Sequence, residues 1–181
     1  KTAISNWIEK GKMKAPVEVE QNKEFYYMVD FLKDHGFDHY EISNFGKPNF
    51  HSQHNSAYWK YQPYLGLGPS AHSYNGREER SWNLANNPNY IKKLEQNILP
   101  IEREILSEKD RYNEMLMIGL RTMWGVDLTR FKESFSDEVL EQFNHDIQSK
   151  LSEGILKIEN NFLKIDEKHW FFADGIASDL F

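Results

Sequence analysis

The sequence predicts an α/β unit followed by a helical one, and three observations carry that expectation. An amphipathic stretch over 19–35 stops at Gly36 and runs into a strand at 37–43, the cadence of a β/α repeat. Irregular sequence rich in aromatics, glycine and histidine follows that strand, where barrels and doubly wound sheets build their sites. Beyond Leu99-Pro100 come three helical patterns, a hairpin and a last helix, a winged-helix-like order. The expected units are therefore 1–100 and 101–181.

Taken in order, Ile4, Trp7 and Ile8 have helical spacing and Gly11 stops them. Phe25, Met28, Val29 and Leu32 trace the stripe of the second helix. The strand after it sets Tyr40 and Ile42 on one face and His39, Glu41 and Ser43 on the other. That polar face points either into a barrel interior or to solvent at a sheet edge. Residues 44–63 show no periodicity and are expected as a long loop. A short strand is expected at Tyr64–Gly68, then a turn. Asn75-Gly76 signals a hairpin returning through Arg80–Leu84. Asn87-Pro88 opens a helix with Tyr90, Ile91, Leu94 and Ile98 apolar. Ser107–Asp110 has the form of a capping box, with a helix to Trp124. Asp127 caps a short helix, Ser136 starts another, and Asn160-Asn161 turns a compact hairpin.

Composition bounds the function. The 181 residues are 39% hydrophobic and 14% aromatic, with 12 Phe, 9 Tyr and 5 Trp, which argues against disorder. No run approaches the roughly 20 apolar residues of a membrane span. The net charge of −6 speaks against nucleic acid as a partner. Cysteine is absent, so this chain by itself makes no disulfide, zinc ribbon or thiol nucleophile and ligates no iron–sulfur cluster. The chain opens on Lys1, and a C-terminal piece of a longer protein is expected.

Four of the 7 histidines, His39, His51, His54 and His72, fall on the strand ends and loops of the first unit. His51 and His54 are spaced to share a metal ion in a turn, or serve as hydrogen-bonded scaffolding. His54-Asn55-Ser56-Ala57-Tyr58-Trp59 joins an imidazole to an amide and two flat rings, a set suited to a tetrapyrrole; the alternative is that Tyr58 and Trp59 anchor the loop on the core. Gly66-Leu67-Gly68 followed by Pro69 and Ala71 allows close backbone approach to a cofactor, or forms a tight rim turn. No helix follows directly, so a dinucleotide fingerprint is excluded. Arg121, Arg130, Lys132, Lys157 and Lys164 are interspersed with acids and are expected as ordinary solvated surface. No catalytic residue is assigned.

The stretches Tyr40–Phe45, His54–Trp59, Gly66–Tyr74 and the pair Trp82-Asn83 occur in one order. Together they resemble the C-terminal half of HemW-type proteins, the radical-SAM relatives of oxygen-independent coproporphyrinogen III oxidase (HemN). The resemblance implies the C-terminal end of a partial (β/α) radical-SAM barrel over 1–100 and a helical C-terminal domain over 101–181. It implies a cytoplasmic parent that uses S-adenosyl-L-methionine and a [4Fe-4S] cluster whose cysteines lie outside this chain. The HNxxYW signature favours a heme chaperone over a true coproporphyrinogen III dehydrogenase; a non-enzymatic interaction module is the third alternative. By the same match His54 is the expected ligand of the heme iron, with Asn55, Tyr58 and Trp59 around the heme. Ala71 and His72 are the expected contacts to S-adenosylmethionine. Heme or porphyrin is the expected partner, and no acceptor protein is named.

Overall fold

A computed structural model describes residues 2–181. Helix α1 (Ala3–Glu9) starts at Thr2, whose hydroxyl accepts from the Ser5 N–H at 3.2 Å, and buries none of its residues. Helix α2 (Glu18–Asp34) buries only Val29, while Tyr27, Met28 and Phe31 stay exposed. The expected stripe is covered where α2 meets the C-terminal part of the chain. There Phe25 sits edge-on to Phe171, Tyr26 donates to the Glu167 carbonyl, and Lys33 pairs with the Glu167 carboxylate.

Strand β1 (Asp38–Glu41) pairs with β2 (Asn44–Gly46) as a bulged antiparallel hairpin. The strand pairs among the described residues are all antiparallel. One β/α repeat supplies one strand, and a parallel neighbour has to come from another repeat. The polar face of β1 is not wet: His39 is 7% and Glu41 1% exposed. What covers it is the C-terminal helical unit, through Trp170 on His39 and Arg121 on Glu41.

The expected loop at 44–63 contains β2 and a further helix, α3 (Gln53–Trp59), capped by Ser52, whose hydroxyl accepts from the Asn55 N–H at 3.3 Å. Seven residues are too few for helical periodicity to stand out. The expected strand at Tyr64–Gly68 reduces to one bridge between Tyr64 and Tyr74. Strands β3 (His72–Tyr74) and β4 (Glu79–Asn83) form the expected hairpin, its turn held by the Asn75 side-chain oxygen accepting from the N–H groups of Arg77, Glu78 and Glu79. Helix α4 (Asn87–Glu95) is capped by Asn86, one residue before the expected cap, and its Ile91 and Leu94 are exposed. Strand β5 (Ile101–Ile105) pairs with β4, so this sheet continues past residue 100.

The densest packing lies beyond. Helix α5 (Glu108–Leu120) opens with the Ser107/Asp110 capping box and stops four residues before Trp124. Then follow β6 (Val126–Asp127), α6 (Leu128–Ser134), α7 (Asp137–Ser152), β7 (Leu156–Glu159), β8 (Phe162–Ile165), a 3-10 turn over Glu167–Phe172 and α8 (Ala173–Ser178). The three strands lie in the order β6-β8-β7. Asn160 and Asn161, at φ 51 and 67°, make the tight turn between β7 and β8. Phe131, Leu116, Leu120 and Leu163 are fully buried in one cluster, each contributing roughly 2 kcal/mol relative to exposure. Gly125, at φ 80°, lets the chain pass the Leu163 carbonyl; a Cβ there would lie 2.4 Å from that oxygen. Among the described residues no helix is long and apolar enough to cross a membrane.

Candidate functional site

Folding 53–59 as a helix sorts the HNSAYW stretch into two pairs four residues apart. His54 and Tyr58 share one face: their rings meet edge to face, with centroids 4.9 Å apart. Both are exposed, and the His54 ring makes no hydrogen bond to protein among the described residues. Tyr58 leans on Tyr64 at 4.6 Å, and Tyr64 lies 6.2 Å from Tyr74, so a row of phenol rings leads from α3 to β3. Asn55 and Trp59 belong to the adjacent face. The Trp59 indole lies 5.8 Å from the Arg121 guanidinium, and its Nε1 is sealed from solvent without an acceptor in the protein. The two flat rings expected side by side therefore line different walls, because consecutive helical residues point about 100° apart. His51 belongs to neither wall. It stacks on Tyr40 at 4.5 Å and bonds to Asp38 at 2.9 Å. No group of three histidine, aspartate or glutamate side chains able to hold a metal ion exists among the described residues.

The glycine turn and the Trp82-Asn83 pair form one local structure. The buried Asn83 amide donates to the carbonyls of Gly66 and Gly68 at 3.2 and 2.8 Å, and Ser73 Oγ accepts from the Gly66 N–H at 2.9 Å. Gly66 is required by this packing, since a Cβ would fall 2.1 Å from the His72 carbonyl oxygen. Ala71 uses both backbone groups inside the turn: its N–H donates to Gly68 and its carbonyl accepts from Asn83. The Ala71 N–H is therefore taken, which leaves its methyl group and the second lone pair of its carbonyl for a ligand. His72 is exposed, with its ring 6.1 Å from that of Trp82.

The Tyr40–Phe45 stretch is a joint between the two parts of the chain. The Ile42 N–H donates to the Arg121 carbonyl, the Met123 N–H donates to the Tyr40 carbonyl, and Glu41 bridges to Thr122. His39 stacks on Phe45 at 4.2 Å, and its Nε2 meets the Ile42 carbonyl at 3.0 Å. A carbonyl only accepts, so Nε2 carries the proton. Burial holds the His39 pKa below the ordinary imidazole value and keeps the ring neutral. Sequence reasoning missed Arg121, Trp124 and Tyr61 as members of the region. Trp124 beside Gly125 was the available signal.

Residues 106–172 match the model of the HemN C-terminal domain. The heme chaperone HemW of Lactococcus lactis is 29% identical over 175 residues, which is 97% of this chain and 46% of that protein. The heme chaperone HemW of Synechocystis is 37% identical over 130 residues, 69% of this chain and 31% of that protein. This chain is a HemW relative. It spans about half the length, or less, of the HemW proteins it matches. Among solved structures, the coproporphyrinogen III oxidase HemN from Escherichia coli, described as a radical SAM enzyme, matches 86% of the chain and 39% of its own. The TM-score is 0.60 at 15% identity, which shows a shared fold. The HemN C-terminal match begins one residue after β5 ends, where the capping of α5 starts.

Proposed function

We propose that this chain is the heme-handling C-terminal part of a HemW-type heme chaperone, and that His54 takes the heme iron. The observation that carries this is the solvent-open His54 ring, free of protein hydrogen bonds and backed by Tyr58 one helical turn on. A neutral imidazole with an available lone pair is what heme iron requires. Tyr58 offers an apolar wall on the same face; Asn55 and Trp59 act from the adjacent one. In this reading His72 and the Ala71 methyl approach S-adenosylmethionine. A [4Fe-4S] cluster in the parent would take its cysteines from outside these 181 residues, which contain none.

The helical part is, in the same reading, a winged-helix arrangement: α5, α6 and α7 against the sheet β6-β8-β7, with the β7–β8 hairpin as the wing. Its α7 begins with Asp137 and Glu138, which disfavours duplex DNA as its partner. A coproporphyrinogen dehydrogenase has the fold likeness to HemN and the HemN C-terminal domain match in its support, while the curated relatives named above are heme chaperones.

Hemin titration followed at the Soret band tests the assignment. His54→Ala is expected to shift the Soret maximum and weaken binding about tenfold or more, a loss of about 1.4 kcal/mol. An unchanged spectrum and affinity overturns the role of His54.

A further inference from the structure

Two clefts adjoin on the helical unit, one beside the end of α3 and the other beside the β3–β4 turn. One, of about 290 Å³, has flat and apolar walls from Trp59, Tyr61, Met115, Trp124 and Phe162. The other, of about 350 Å³, carries Arg77, Arg111 and Arg130. Tyr61, Met115 and Arg130 line both.

These arginines are not held by carboxylates. The arginine ion pairs among the described residues belong to Arg80, Arg103 and Arg121. Glu114, in the same cleft, is taken by Arg80 at 2.6 Å, and Glu78 and Glu133 line it without reaching an arginine. The Nε–H of Arg111 is sealed from solvent and meets no acceptor in the protein. Its guanidinium lies 5.9 Å from the Phe135 ring centre. The Arg130 guanidinium lies 5.1 Å from the Tyr61 ring centre, and its one side-chain hydrogen bond is a long one, 3.4 Å, to the Lys60 carbonyl.

Two guanidinium groups without a carboxylate partner, at the edge of an apolar cleft, are completed by an anionic ligand. A planar guanidinium matches a carboxylate with two parallel bonds. Apolar walls with a few convergent polar groups are the usual make-up of a small-molecule site. The geometry points to a second ligand site: the aromatic cleft takes a flat apolar ring system, and Arg111 and Arg130 take its carboxylates. This rests on the heme-handling reading, in which the ligand is the tetrapyrrole with its propionates. The site recognises the macrocycle by its carboxylates and needs no iron, whereas His54 acts through the iron.

The test is fluorescence titration with metal-free protoporphyrin IX and with its dimethyl ester. The unaltered chain is expected to bind the free acid about tenfold or more tightly than the ester. Arg111→Met and Arg130→Met are each expected to weaken the acid about tenfold and leave the ester unchanged. Lys132→Met, an equal charge loss outside the clefts, is expected to bind the acid like the unaltered chain. Equal binding of acid and ester, or arginine variants that bind the acid normally, overturns the proposal. Should the methionine variants not fold, the acid–ester comparison on the unaltered chain decides. Loss of the His54 effect on hemin with the arginine effects intact would remove the iron assignment alone; the reverse outcome would remove only this site.

Discussion

The Arg121 guanidinium donates to the carboxylate of Glu41 across 3.2 Å, and Glu41 is 1% exposed. Glu41 is therefore a buried charge whose cation comes from eighty positions further along the chain, at the end of α5. Its other oxygen accepts from the Ser43 N–H at 3.1 Å and from the Asn44 amide, while Arg121 also reaches Asp174 at 2.6 Å. This pair ties the β1–β2 hairpin to the helical unit.

Removing the cation leaves that carboxylate uncompensated. Arg121→Met is expected to lower stability by about 3 kcal/mol. Glu41→Gln in the same background should recover part of the loss. Urea unfolding of the two single variants and the double variant gives the coupling, and strict additivity would show that the groups do not interact.

Gly66→Ala forces a methyl group onto the backbone of His72. A loss of about 2 kcal/mol or more is expected, with exchange protection falling first at the β3–β4 amides. An unaltered melting temperature would mean that the turn relaxes freely.

The Tyr112 hydroxyl donates to the Leu180 carbonyl at 3.0 Å, and burial pushes its pKa up to about 12. The unfolded chain ionises this phenol near pH 10, so its contribution is whole below that value and is lost as pH rises toward 12. Tyr112→Phe is expected to cost about 1 kcal/mol at neutral pH and to flatten the alkaline loss. Thermal melts between pH 7 and 11 check both.

His39 has the opposite linkage. Its folded pKa lies below the ordinary 6.5 because burial penalises the imidazolium, so the unfolded state binds the proton more readily. Stability is whole above about pH 6.5 and falls as the solution is acidified through the folded value. His39→Gln should reduce that acid slope. A denaturation midpoint with the same dependence between pH 7 and 5 in both proteins would assign the slope to other groups.

Caps and turns were legible because their signals are local. Ser107 and Asp110, Asp127 and Asn75 satisfy backbone groups within four residues of themselves, Asn160-Asn161 adopts the positive φ its turn needs, and each sits where its chemistry predicts. Helix α3 was not legible, since one capping serine and seven residues carry too little pattern. Strand β5 was hidden for another reason: Ile101–Ile105 alternates weakly and is defined by pairing with β4. The exposed apolar side chains of α1, α2 and α4 show the converse case, in which a helical stripe is present and little in this chain covers it.

The sequence alone determined that histidine, tyrosine and tryptophan would stand close together, because a six-residue motif cannot separate its ends by more than about 18 Å even when fully extended. Tertiary structure decided which way each one faces. The 100° step of a helix turned His54 and Tyr58 to solvent and Trp59 toward the seam with Arg121. It also decided that Arg111, Arg130 and Tyr61 share one cleft, since Tyr61 lies fifty and more positions from both arginines and meets them only when the elements between them pack.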